Sequence, residues 1–490
     1  MRRKLWIALL TALLSSCAVG PDFHQPAPPA VQSYLPEPVA PSMPRDAATD
    51  PTAAFRQHFA PDLSVPQQWW QLFGSPELDE LIEAAFHKSP TLAAAQAALH
   101  QAQENFLAAR GAFYPTVQAQ YSFERARNAT ATLSPTLSSG QSIFDLHTAQ
   151  VSVTYALDVF GGSRRQAESL LSLAQSQQYQ LGATYLTLAA NVVTTAVQEA
   201  GIRAQLQATR DIVAAEQEAL RILKRQYELG SIAMTDVMAQ EATLATTEAS
   251  LPGLQKQLEQ ARHSLAVLTG VFPGEPGQPQ FELSALTLPQ ELPLTVPAEL
   301  VRHRPDVLAA EAQLHSASAQ VGVAIANMLP QISLTASAGG AATQLGQLLA
   351  AGNTFWSGGA TLTQTLFAGG TLLHRERAAR AALDQAGAQY RTAVLTAFQN
   401  VADTLSALEL DAAAMEAGSR AQKAAADSLA TVKRNVELGS VGYLALLNAQ
   451  QTYQQALLSV AQAKANRFAD TAALFQALGG DWEQLPNPPG

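Results

Sequence analysis

The chain has 490 residues, of which 14% are charged, well below the roughly 25% of ordinary soluble domains. Its net charge of −10 excludes a partner gripped through nucleic-acid phosphates, because that needs a basic stripe and none is visible. A single cysteine excludes an intramolecular disulfide.

Arg2, Arg3 and Lys4 precede a short apolar run from Leu5 to Leu14 and a small-residue exit at Ser15-Ser16-Cys17. This is the layout of an export signal over residues 1–16, and its apolar stretch is too short to stay in a bilayer as a spanning helix. The Leu-Ser-Ser-Cys junction resembles the lipobox of bacterial lipoproteins, which implies that Cys17 becomes an acylated first residue. Ala18, in place of an aspartate, implies sorting to the outer membrane. Residues 17–75 hold many prolines and few regular apolar periods, so this segment is expected to run extended along the body. A helix then starts at Ser75-Pro76-Glu77, an N-cap followed by proline at the first helical position, with Leu78, Leu81, Ile82 and Ala85 on one face.

Short alternating segments come next. Val117, Ala119, Tyr121 and Phe123 alternate with Gln118, Gln120 and Ser122, and Ala149, Val151, Val153, Tyr155 and Leu157 alternate with Gln150, Ser152, Thr154 and Ala156. Ile332, Leu334 and Ala336 do the same, as do Ala360, Leu362 and Leu366. A period of two with one apolar and one hydroxyl or amide face describes strands between lipid and water, expected over about residues 116–126, 148–159, 331–340 and 356–367. A soluble sandwich sheet has the same alternation.

Between Ser163 and Leu229 there is no proline, and a helix of that length would reach about 100 Å. Heptads mark its far end at Leu206, Val213, Leu220 and Tyr227, and the returning segment at Val237, Leu244, Leu251, Leu258 and Leu265. The second half answers with Leu408, Met415, Leu429 and Val436, then Leu446, Tyr453, Val460 and Leu474, interrupted at Gln422 and Arg467. Seven-residue spacing implies knobs-into-holes packing of supercoiled neighbours.

The two halves are one unit written twice. Pro90 and Pro115 recur as Pro305 and Pro330, and Gly230 and Gly270 recur as Gly439 and Gly479. The unit boundaries are read as 76–272 and 305–480, joined by a connection over 273–304 and followed by a tail over 481–490. Four strands cannot close a transmembrane barrel, and an open sheet edge in lipid leaves backbone groups unpaired. Several chains must therefore contribute strands to one barrel.

CAVGPDF at Cys17, WWQLFGSPELDELI at Trp69, RPDVLAAEAQL at Arg304, the two ELGS turns, LLNAQQTY at Leu446 and ALGG at Ala477 together resemble the TolC-type outer-membrane efflux ducts. The likeness is strongest to the NodT-like lipoproteins that serve RND pumps. It implies a mainly helical chain with a small β part, assembled as a homotrimer whose twelve-stranded barrel continues into a periplasmic α-barrel. It also implies an outer-membrane exit duct for small toxic compounds, partnered by a periplasmic adaptor and an inner-membrane RND transporter. The turns ELGSIAMTD and ELGSVGYLA place glycine where a helix C-terminus needs a left-handed residue. By resemblance Gly230, Ser231, Ile232, Gly439, Ser440 and Val441 are adaptor contacts. Relatives narrow the pore with a leucine and an aspartate four apart; here the matching residues are Leu444 and Asn448, so a neutral amide replaces the acid. Asp236 at the first tip is the remaining acidic aperture candidate, with helix-dipole stabilisation as its other reading. A type I protein secretion duct shares the architecture, and a periplasmic coiled-coil lipoprotein is the alternative of another class.

No constellation of catalysis is present. His303-Arg304-Pro305-Asp306 echoes a kinase loop, but proline stands inside it and no phosphate loop follows, so it reads as a helix start. Asp158-Val159-Phe160-Gly161-Gly162 reads as a strand exit, and the sequon at Asn128 carries little in a bacterial-type lipoprotein. The nine histidines show no metal-binding spacing. The expectation is a passive channel with no metal and no cofactor beyond the lipid on Cys17.

Overall fold

The computed structural model describes residues 18–31, 33–35, 57–60, 63–127, 143–294, 297–480 and 482. The export signal, Cys17, the Asn128 sequon and nearly all of the C-terminal tail lie outside the described residues. The chain divides into two units, one of residues up to 26 with 99–177 and 310–390, the other of residues 27–98, 178–309 and 391–490.

The first unit carries a four-stranded antiparallel sheet of β2 (Thr116–Arg127), β3 (Ile143–Leu157), β5 (Gln331–Ala342) and β6 (Thr354–Thr363), in the order β2-β3-β5-β6. The short strands β1 (His58–Ala60) and β4 (Glu291–Pro293) pair in parallel elsewhere, in the second unit. The register keeps the alternation coherent across all four strands. Val117 faces Val153, Tyr155 faces Leu334 and Ala338 faces Trp356, so one face is apolar over that stretch and turns polar at the far end of β2 and β3, where Phe123 faces His147 and Arg125 faces Asp145. The opposite face is mainly amide and hydroxyl over the same stretch, with Gln150 donating to Gln120 at 3.3 Å and Ser337 and Ser357 hydrogen-bonded at 2.8 Å. A one-residue slip would mix the two faces.

Two strands differ from the sequence expectation. β3 begins five residues early, at Ile143, because β2 persists to Arg127 and offers it a partner; Arg125 and Asp145 sit opposite one another as an ion pair at 3.5 Å. β6 stops at Thr363, leaving Leu366 and Phe367 outside the ladder and exposed. Just after Thr363, the Gln364 amide donates to the carbonyls of Met328 and Thr365, and Gly369 and Gly370 take positive φ to turn the chain.

The helices are α1 (Pro76–Lys88), α2 (Pro90–Arg110), α3 (Gly162–Glu228), α4 (Met234–Leu268), α5 (Pro297–His303), α6 (Pro305–Ala326), α7 (Thr371–Glu437) and α8 (Tyr443–Ala477). The Ser75 hydroxyl caps α1 by accepting from Leu78 N–H, and Leu78, Ile82 and Ala85 are buried. α3 and α7 each have 67 residues, and α4 and α8 each have 35. α7 starts 209 residues after α3, and α8 starts 209 after α4, so the internal repeat is kept to the residue over both helical hairpins.

The second unit is locked by aromatic rings. Trp69 stacks on Phe475 at 5.3 Å, Phe73 lies 6.1 Å from Phe468, and Trp70 and Tyr185 both meet Phe86 edge-on. Along the hairpins the heptad seam holds at Leu206, Val213, Val237, Leu244, Leu258 and Leu265, all buried, but not at Tyr227. Glu216 and Leu223 take over the buried side of α3 while Tyr227 is exposed. A straight helix drifts about 20° per heptad against a seven-residue repeat, which moves the contact line off its starting row. Arg467 does not interrupt the second seam; it is buried within it.

Candidate functional site

The hairpin turns carry the expected contact residues, and both are built alike. α3 ends with Gly230 at φ +74°, its N–H bonded to Tyr227 O, while Ser231 N–H reaches Gln226 O. α7 ends with Gly439 at φ +70°, bonded to Val436 O, while Ser440 N–H reaches Asn435 O. This double bond pattern closes the last helical carbonyls and requires a left-handed residue, which is why glycine recurs at both positions. The Ser231 and Ser440 hydroxyls repeat the bonds to Gln226 O and Asn435 O at 2.7 and 2.9 Å. Gly230, Ser231, Gly439, Ser440 and Val441 are exposed and Ile232 is half-buried.

Leu444 and Asn448 lie one helical turn apart on a single face of α8, both exposed, Leu444 at 68%. Spacing of four residues aligns them along the helix. Asp236 sits in the first turn of α4, half-buried, where its charge favours the positive end of the helix.

A polar chain joins the two hairpins close to these residues, and it escapes a reading based on apolar heptads. The Tyr443 hydroxyl donates to Gln240 Oε1 at 2.7 Å, Gln240 Nε2 donates to Glu216 O at 3.1 Å, and Thr247 Oγ1 donates to Glu216 Oε1 at 3.2 Å. Glu216 is 1% exposed and its Oε2 has no hydrogen-bond partner. Burial raises the Glu216 carboxyl above the usual range, against the Thr247 hydrogen bond. Burial also pushes Tyr443 up to about 12, helped by the charges of Glu216 and Asp236. Asp236 is thus brought within electrostatic reach of α8, whereas Leu444 and Asn448 face away into solvent. The available signal was Gln240 and Thr247, polar residues standing three positions after Val237 and Leu244, where a seam wants a second apolar residue.

In the first unit the N-terminal arm is tied down from its first described residues. Val19 N–H bonds to Phe160 O at 3.1 Å, Asp22 pairs with buried Arg165 at 2.6 Å, and Phe23 stacks on His315 at 4.3 Å. The Arg165 guanidinium holds the Asp22 carboxyl below its ordinary range. Gly20, at φ +101°, approaches Gly322 so closely that a Cβ would fall 2.4 Å from the Gly322 Cα. Among the described residues no cluster of three or more His, Cys, Asp or Glu is placed to hold a metal ion, and no described helix is long and apolar enough to cross a membrane.

The family model described as outer membrane efflux protein matches residues 81–271 and 296–480, the two repeats. The pyoverdine export outer membrane protein OpmQ of Pseudomonas putida is 29% identical over 419 residues, covering 85% of this chain and 88% of that protein. The toluene efflux pump outer membrane protein TtgC, from another strain of Pseudomonas putida, is 28% identical over 480 residues, covering 98% of this chain and 95% of its own length. Among solved structures, the outer-membrane channel OprN matches with a TM-score of 0.83 at 26% identity, over 95% of this chain and all of that one. The Campylobacter jejuni CmeC outer membrane channel shares the fold with a TM-score of 0.86 at 18% identity, over 96% of each chain.

Proposed function

The chain belongs to the outer membrane efflux protein family and is an outer-membrane exit duct of an efflux system; we propose that it works as a lipid-anchored homotrimer and catalyses nothing itself. The open sheet calls for several chains, and the resemblance to the TolC-type ducts makes them three. β2 and β6 are edge strands in a four-stranded order, and the apolar face exposes Val117, Tyr121, Trp356 and Leu362. Lipid tolerates no unpaired backbone edge, so β6 of one chain closes on β2 of the next. Three copies give twelve strands.

A periplasmic adaptor meets the exposed turns at Gly230, Ser231, Ile232, Gly439, Ser440 and Val441, and an inner-membrane RND transporter supplies the energy. Leu444 and Asn448 line the periplasmic aperture, which their shared exposed face on α8 supports. Small toxic compounds pass outward. Relatives named for cargoes as different as pyoverdine and toluene support a duct that leaves selection to its pump. Acylation at Cys17 is supported by the hydrogen bond from Val19 to Phe160, three residues beyond β3.

Native mass spectrometry and planar-bilayer recording on the purified protein test this reading together. Conductance is expected only from the trimeric species. A conducting monomer, or a closed assembly of two chains, would overturn it.

A further inference from the structure

The repeat that doubles the chain also orders its strands. An offset of 215 carries α2 and β2 into α6 and β5: Pro90 becomes Pro305, and Thr116, the first residue of β2, becomes Gln331, the first of β5. An offset of 209 carries β3 and α3 into β6 and α7, because Thr116 pairs with Thr154 and Gln331 pairs with Thr363. The order β2-β3-β5-β6 therefore contains one hairpin twice, joined at the middle by β3 and β5. That junction is the contact of one repeat with the next. It runs over eleven pairs, from His147 with Ala342 to Leu157 with Ile332.

The end of β6 shows what the second neighbour does for β3. β2 holds β3 only as far as Thr154, and Tyr155 to Leu157 stay in the strand because β5 pairs with them. Among the described residues β6 has β5 alone as a neighbour. The counterparts of Tyr155 to Leu157, residues 364–366, lie past the last pair at Thr363, and Leu366 is 92% exposed. Four residues then lead into the next helix in both repeats once the strand is counted to Leu157 and to Leu366, 158–161 before α3 and 367–370 before α7. The chain thus has the length for β6 to run to Leu366. The free edge of β2 is the other half of such a junction.

We propose that the chains of the trimer repeat the β3–β5 junction between them, so that β6 of one chain meets β2 of the next in a register running from Trp356 with Arg127 to Leu366 with Val117, and β6 lengthens to Leu366. This rests on the trimer reading and adds which residues meet. The faces agree with it independently. The register sets Leu366 against Val117 and Leu362 against Tyr121, all four exposed and on the apolar side of the sheet, and Thr363 against Gln120 on the amide and hydroxyl side. At the far end the indole of Trp356, 83% exposed, comes to the guanidinium of Arg127, a favourable meeting of ring and cation. A slip of one residue would set apolar against polar along the whole junction. A slip of two keeps the faces but breaks the repeat.

Disulfide crosslinking of the full-length protein in its membrane reads the register. Within one chain β2 and β6 stand three strand spacings apart, about 14 Å, so cysteines placed on them can bond only between chains. Leu362→Cys with Tyr121→Cys, and Thr363→Cys with Gln120→Cys, probe consecutive pairs, one of which is of the closer, non-hydrogen-bonded kind. Leu362→Cys with Ala119→Cys, or with Phe123→Cys, probes a slip of two, where the Cα atoms would stand about 8 Å apart and beyond disulfide reach. Cys17 is common to all variants and cancels in the comparison. Oxidation is expected to give covalent trimer from the in-register pairs, roughly ten-fold above the slipped ones. In the unmodified trimer, amide hydrogen exchange over residues 361–368 is expected to be as slow as over 152–159. Slipped pairs that crosslink as well or better, or fast exchange over 361–368 in protein that native mass spectrometry shows to be trimeric, would overturn the register and leave the trimer standing. Protein without trimer in that measurement would remove both.

Discussion

The Tyr443 hydroxyl donates a 2.7 Å hydrogen bond to Gln240 Oε1, tying the first residue of α8 to the second turn of α4. One bond thereby fixes the start of the helix that carries Leu444 and Asn448 to the other hairpin. Tyr443→Phe leaves the ring and removes the bond, a loss of about 1 kcal/mol per chain. Single-channel recordings on the trimer are expected to show a larger open fraction, by on the order of 100-fold, the Boltzmann factor of three such bonds lost together. An unchanged open fraction would show that this bond does not hold the resting state.

Glu216 is the second element of the same chain, a nearly inaccessible carboxylate with one bare oxygen. Because burial raises its carboxyl, its favourable contribution is present at acidic pH and is lost as pH rises through the raised value. Glu216→Gln keeps an acceptor for Thr247 and removes the charge. Denaturation of the purified protein should show the variant more stable than the parent by about 1–2 kcal/mol at pH 8, with the difference gone by pH 4. A difference independent of pH would assign Glu216 a packing role only.

At the aperture, Leu444→Ala is expected to widen the pore, raise conductance and let large antibiotics leak inward without the pump. Asn448→Asp adds three charges near the axis of the trimer and should make the channel cation-selective and more sensitive to acidification. Planar-bilayer recordings measure both effects. If selectivity and conductance stay as in the parent, the constriction lies elsewhere, and Asp236 is the next residue to change.

For the anchor, Cys17→Ser should abolish labelling by a radioactive or clickable fatty acid and leave a precursor that retains its signal. The arm from Val19 to Phe23 keeps its own contacts to Phe160, Arg165 and His315, so insertion of the barrel is expected to persist. Lipid labelling that survives without Cys17 would remove the lipoprotein assignment.

Periodicity was enough to determine the sheet, the long helices, the glycine turns and the doubled unit, because each rests on local chemistry. Alternation of Val117 with Gln118 sets a strand face, Gly230 and Gly439 mark helix ends that only a left-handed residue can close, and Ser75-Pro76 starts a helix wherever it is placed. What the sequence left open are pairings made over long chain separations. The separation of 203 positions between Tyr443 and Gln240 holds no local signal that they meet, and Glu216 reads as a surface acid until helix drift turns it inward. Arg467 reads as a break in the heptad for the same reason. It is buried only when α8 folds back along α7 and brings the Leu408 carbonyl to its guanidinium, a meeting across 59 positions of the chain.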